Sequence, residues 1–187
     1  MGPVIGIDFD NTVINYDHLF YKIAIQRELI PLNTIESKRY VRDKIWQLPD
    51  GDIEWQKLQA IAYGSRISDA SPSIGVVNFL RECLDRKIRV SIVSHKTEFA
   101  SHDETVTNLR SAAILWMVNN LGLDEVALGF SRDNIYFEPT RKDKVLRIGW
   151  LGCTHFIDDL VETFQEDHFP MNVKKILYSP IGEPPDI

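Results

Sequence analysis

The sequence has little cysteine. Cys83 and Cys153 are the only two in 187 residues, and neither lies in a Cys-x-x-Cys pair. That excludes a disulfide framework and argues against a structural zinc site. Long apolar runs are missing too: none approaches the roughly 18 residues that a membrane-spanning helix needs. Acids interrupt the N-terminal apolar stretch MGPVIGIDFDNT, so no signal peptide is read there. The expectation is a soluble, cytoplasmic protein. Positive charge is also scarce, with Lys+Arg at 21 against Asp+Glu at 27 and a net charge of −6. An acidic chain repels phosphate backbones and anionic lipid, so neither nucleic acid nor membrane is an expected partner. There is no internal repeat and no low-complexity segment. What is present is globular in proportion, 44% hydrophobic and 26% charged. The length suits one domain, with or without an inserted sub-domain.

The apolar pattern sorts the chain into two textures. Val4-Ile5-Gly6-Ile7 reads as a short buried strand ending at Asp8. Helix then follows helix: 17–30, a second one opened by the capping-box spacing of Asn33 and Glu36, and a third over 52–63. After the loop at 68–73 the pattern alternates. It runs helix 73–87, strand 89–93, helix 105–121, strand 135–137, a helix capped by Thr140, strand 156–157, a helical stretch and strand 173–178. Strands alternating with helices predict an α/β fold with a Rossmann-like parallel sheet. The expected division is an α/β core over 1–14 and 73–187, with an all-helical insert over 15–72. In open parallel sheets the site lies at the carboxyl ends of the strands.

Three of these strands end in residues with useful chemistry. Asp8-Phe9-Asp10-Asn11-Thr12 follows the first strand, Ser94 follows Val93, and Asp158-Asp159 follow Phe156-Ile157. Lys142 and Lys144 fall in the first turn of the helix begun at Thr140, where positive charge opposes the helix dipole. Phosphoryl transfer needs a nucleophile, a cation against the phosphate charge and a proton donor for the leaving oxygen. Carboxylates crowded at neighbouring strand ends repel one another and the phosphate. A hard divalent cation with oxygen ligands resolves both, and Mg2+ is the usual one beside phosphates. Taken singly, each feature has a plainer reading: turn acids, a strand-end serine, a helix cap. Their order along one chain is what points to chemistry. His95 and Lys96, directly after Ser94, line a substrate mouth or belong to a solvent-facing loop.

In that order the four features resemble the signature of the haloacid dehalogenase (HAD) superfamily, mostly magnesium-dependent phosphatases. Its pattern, hhhDxDx[TV], hhh[ST], a lysine and hhhDD, is matched by VIGIDFDNT, VSIVS, Lys142 or Lys144, and HFIDD. The resemblance spans residues 1 to about 165 and makes the helical insert a C1-type cap. It implies that Asp8 is the nucleophile, forming an aspartyl-phosphate, and that Asp10 is the acid and then the base. Ser94 would donate its hydroxyl to a phosphoryl oxygen. The lysine would stabilise the transition state; the run KVLRI favours Lys144, with Lys142 the competitor. The metal ligands would be Asp8, Asp10 through its backbone carbonyl, Asp158 and Asp159, with the direct one of the last pair left open. Asn11, Thr12, His95, Lys96 and Lys142 are candidate substrate-binding residues. Asp10 favours phosphate chemistry, because the dehalogenase branch lacks that second acid. The implied function is hydrolysis of a small phosphorylated metabolite with Mg2+. The alternatives are a phosphotransferase or mutase sharing the intermediate, and a non-catalytic module that keeps the fold. In the insert, Arg42, Trp46, Trp55, Tyr63 and Arg66 are either substrate contacts or cap core and surface.

Overall fold

The computed structural model describes residues 2–103, 105–123 and 131–179. Residues 180–187, the Pro-rich stretch PIGEPPDI, lie outside them. Among the described residues no helix is long and apolar enough to cross a membrane. The chain divides into two compact units, Met1–Ile14 with Pro72–Thr97 and Met117–Ile187, and Asn15–Ser71 with Glu98–Trp116.

The first unit is built on a five-stranded parallel sheet. Its strands are β1 (Val4–Ile7), β4 (Arg89–His95), β5 (Ile135–Glu138), β6 (His155–Asp158) and β7 (Lys174–Leu177), in the spatial order β5-β4-β1-β6-β7. Two further strands of two residues, β2 (Ile14–Asn15) and β3 (Ser71–Pro72), form a separate small sheet. All four pairings in the large sheet are parallel; Ile7 lies opposite both Ile92 and Ile157. β4 is buried from Val90 through Ser94, as expected of a strand covered on both faces. Helices α4 (Val76–Asp85) and α6 (Arg141–Trp150) pack against β4. Val93, Val145, Ile148, Cys153, Phe156, Phe164, Phe169 and Val173 form one continuous apolar cluster. Each predicted strand is present, and β4 runs on through Ser94 to His95. The predicted cap of α6 is also present: the Thr140 hydroxyl accepts the Asp143 backbone N–H at 3.0 Å.

The second unit is helical: α1 (Asp17–Gln26), α2 (Lys38–Ile45) and α3 (Gly51–Tyr63) pack pairwise. Phe20 stacks on Trp55 at 4.8 Å between centroids, and Tyr16 meets Tyr63 edge-on at 4.9 Å. Trp55 therefore belongs to the core of this unit, whereas Trp46 is exposed beneath the Arg42 guanidinium. One local expectation fails here. Asn33 and Glu36 do not cap a helix, because α2 starts only at Lys38. Glu36 instead reaches His18 Nδ1 at 2.7 Å, and the Lys38 backbone N–H is taken by Asp17 at 2.8 Å. The unit also takes in Glu98–Trp116, a stretch that the alternating pattern assigned to the α/β core. The Trp116 indole N–H donates to the Ala70 carbonyl at 2.9 Å and ties that stretch in. The division falls within α5 (Leu109–Leu121), so helical periodicity carries no mark of it.

Gly6 shows how tightly the central strand is packed. A Cβ at this position would lie 2.5 Å from Phe156 Cδ2 and 3.1 Å from Cys153 Sγ, and Phe156 is fully buried. The ring cannot swing away without displacing the cluster. Gly6→Ala is predicted to destabilise the protein by about 1–3 kcal/mol, measured by urea denaturation. A change within experimental error would show that the core yields there.

Candidate active site

β1 lies between β4 and β6, and the chain reaches its two neighbours on opposite sides. The strand order therefore reverses beside β1, which is where a ligand crevice opens at the carboxyl edge of such a sheet. Asp8 sits one residue past β1, and its backbone N–H donates to the Ile157 carbonyl at 2.9 Å. Asp158 closes β6, and Ser94 lies next to the end of β4, 1% exposed. After Asp8 the chain turns at once. Asn11 adopts φ 60°, a left-handed conformation that asparagine tolerates better than most residues. The turn lets both Val13 and Ile14 donate to the Phe9 carbonyl, at 3.0 and 3.1 Å. Phe9 is fully buried, while Asp8 and Asp10 lie to either side of it in the chain.

Lys144 rises from the first turn of α6 into this edge. Its Nζ donates to Asp8 Oδ1 and to Asp158 Oδ2, each at 2.6 Å, with all three side chains buried. Burial alone would lower the ammonium, but the carboxylates of Asp8 and Asp158 outweigh it and hold Lys144 charged. Asp8 is pulled two ways. Burial, the largest influence, pushes its carboxyl well above the ordinary carboxylate range. Lys144 opposes this, and the charges of Asp158, Asp159 and Asp10 reinforce it. One ammonium does not compensate the acids gathered here.

The remaining candidates separate by exposure. Lys142 is exposed, and Lys144 is the lysine at the carboxylates. His95 points to the exposed side of the strand end, whereas Lys96 is buried and pairs with Asp10. Asn11 is half-buried in the turn. Thr12 buries its hydroxyl without a hydrogen-bond partner among the described residues. The Asp10 contact of Lys96 was not anticipated. Its one sequence signal is a second lysine just past a strand that carries a site residue.

The cluster's donor set bears on a metal. Asp8, Asp158 and Asp159 each offer a carboxylate oxygen, all within 4.8 Å of one another. An all-oxygen, multiply anionic set suits a hard divalent cation. Positive charge among these oxygens would also offset the repulsion that raises Asp8. The residues present therefore fit a divalent metal ion.

No protein-family model matches the chain, and no curated protein matches it in sequence. Solved structures do. A HAD family hydrolase of Deinococcus radiodurans R1, determined with bound phosphate and sodium, is similar over 94% of this chain and 90% of its own, at 13% identity and a TM-score of 0.50. A family IA HAD hydrolase of Entamoeba histolytica aligns over 93% and 82%, at 16% identity and a TM-score of 0.48. A HAD-superfamily hydrolase of Ehrlichia chaffeensis aligns over 87% and 80%, at 17% and 0.43. At such identities the likeness is one of fold, and the fold of this chain is that of the HAD superfamily.

The two lysines of α6 are predicted to behave oppositely on truncation. Lys144→Met strands two buried carboxylates and should cost about 3 kcal/mol of stability. Lys142→Met should stay within about 0.5 kcal/mol of the parent. Urea denaturation of both variants checks this, and equal effects would contradict the buried pairing.

Proposed function

We propose that the protein is a HAD-type phosphomonoester hydrolase that acts on a small phosphorylated metabolite through an aspartyl-phosphate on Asp8. The observation that carries this reading is the Asp8–Lys144–Asp158 bridge at the carboxyl edge of the sheet, with Asp159 beside it. In the same reading the helical unit is a C1-type cap, argued from its insertion directly after the Asp8 loop. A net charge of −6 supports a small substrate over a nucleic acid.

The steps assign one task to each residue. An Asp8 carboxylate oxygen attacks phosphorus, and the bond from phosphorus to the leaving oxygen breaks. Asp10 gives that oxygen its proton. Water then attacks the same phosphorus, Asp10 takes the proton of the water, and the phosphorus–Asp8 bond breaks to release phosphate. Lys144 keeps Asp8 aimed and offsets charge in the transition state. The Ser94 hydroxyl donates to a phosphoryl oxygen. A divalent cation held by Asp8, Asp158 and Asp159, which we take to be Mg2+, supplies charge neutralisation of the phosphate.

Phosphate release from a panel of phosphorylated metabolites tests this reading. Release is expected to need Mg2+ and to fall at least about 10³-fold in Asp8→Asn. Release that survives in that variant would refute the assignment of the nucleophile. Transfer only to added alcohols would indicate a phosphotransferase.

The raised Asp8 carboxyl carries a second expectation. Protons and a cation compete for a carboxyl that burial pushes upward, so the apparent Mg2+ affinity should fall as pH falls. Titration calorimetry near pH 7 in two buffers of different protonation enthalpy should show proton release on binding. Binding heats independent of buffer would contradict this.

A further inference from the structure

Lys96 is a buried lysine that the catalytic steps leave without a task. Its side chain is 2% exposed, whereas lysine is almost never buried unless it is paired. Its partner is Asp10. The Nζ lies 3.0 Å from Asp10 Oδ1 and 2.9 Å from Asp10 Oδ2, so one ammonium spans both carboxylate oxygens. Three further features hold the lysine in place. Its backbone N–H donates to the Glu138 carbonyl at 3.0 Å, one residue past the paired length of β4 and β5. Its Nζ stands 5.6 Å from the centroid of the fully buried Phe9 ring. Its stem is enclosed, so the ammonium has little freedom to follow a moving partner.

The arrangement parallels the other half of the same loop. Asp8 is gripped by Lys144 from α6, and Asp10 by Lys96 from the end of β4. The two aspartates are two residues apart and have different tasks, and each has its own buried cation. A proton-transferring carboxylate works only when one oxygen stands within hydrogen-bond reach of the leaving oxygen. A side chain free to rotate about χ1 and χ2 spends most of its time pointing elsewhere, and that loss appears in the rate. A cation that contacts both oxygens restrains the rotation of the ionised carboxylate, the form that accepts the proton of the water.

We propose that Lys96 is a positioning residue for the acid–base step. It sets the orientation of the Asp10 carboxylate and acts on the reaction only through Asp10. The proposal rests on the phosphatase reading above, in which Asp10 protonates the leaving group. It separates Lys96 from the substrate, which a lysine lining the mouth would bind directly.

Kinetics on two substrates test it. With an alkyl phosphate, whose leaving oxygen needs a proton, Lys96→Met should lower kcat about 10²-fold with KM nearly unchanged. With an activated aryl phosphate, whose leaving group departs as an anion, the first-turnover release of leaving group should slow by a few-fold at most, because there Asp10 serves only the later attack of water on the aspartyl-phosphate. Lys96→Arg, which keeps a cation that can span both oxygens, should recover part of the alkyl-phosphate rate. The decisive comparison places Lys96→Met in an Asp10→Asn background. There the lysine has nothing to position, so its removal should change the rate by less than about twofold. Independent losses that multiply in the double variant would overturn the proposal, as would equal losses in the first-turnover leaving-group release of both substrates. A raised KM with unchanged kcat would also overturn it and make Lys96 a substrate contact. If Lys96→Met fails to fold, the same comparison is made with Lys96→Arg and Lys96→Gln. If the parent protein releases phosphate from neither substrate, the phosphatase reading falls and the proposal with it.

Discussion

Crowded negative charge at one edge of a parallel sheet is the constraint on which the rest of this structure depends. Asp8, Asp10, Asp158 and Asp159 come together because β1 and β6 are neighbours and both end in acids. Water is largely excluded: Asp8 is 4% exposed and Asp158 is fully buried. Such charges are costly to bury unless they are paired. Two lysines meet that need, Lys144 at Asp8 and Asp158, Lys96 at Asp10. Four acids against two bases still leave the edge negative, and that charge adds to burial, the larger influence, in pushing the Asp8 carboxyl up. A site poised in this way stores affinity for a cation, and beside that cation for the anion of a substrate.

The fold serves the same end. Each lysine is delivered by an element whose other residues are anchored elsewhere. Lys144 shares the buried face of α6 with Val145 and Ile148, and the Thr140 cap sets where that helix begins. Lys96 follows β4 directly, and its backbone continues the pairing with β5. Gly6 faces Phe156 across the ladder that pairs β1 with β6, with no room for a side chain, and that ladder sets the spacing between the strands that carry Asp8 and Asp158. The acids therefore stand on backbone that cannot relax apart. Rigid placement of this kind is what electrostatic catalysis requires.

Much of this was legible in the residues. Short apolar runs ending in acids, Val4–Ile7 and Phe156-Ile157, marked β1 and β6, and the run KVLRI favoured Lys144 without deciding it against Lys142. These are local patterns, and local patterns survive into the structure when the core demands them. Three features were not legible. The contact between Lys96 and Asp10 joins residues 86 apart, and no periodicity reports a side chain's direction just past a strand end. The Asn33–Glu36 spacing suited a capping box, but Glu36 has His18 as its partner and α2 begins later. The grouping of Glu98–Trp116 with the helical unit rests on long-range contacts such as Trp116 with Ala70, which no window along the chain contains.

The central claim is that Asp8 carries the phosphoryl group. The most direct measurement is borohydride trapping after rapid acid quench of the protein turning over its substrate, followed by peptide mass spectrometry. An acyl-phosphate on Asp8 would be reduced to homoserine at that position, in the presence of substrate and not in its absence. The account predicts homoserine at residue 8 and at no other carboxylate of the site. Its appearance at another aspartate, or its absence during confirmed turnover, would contradict the account.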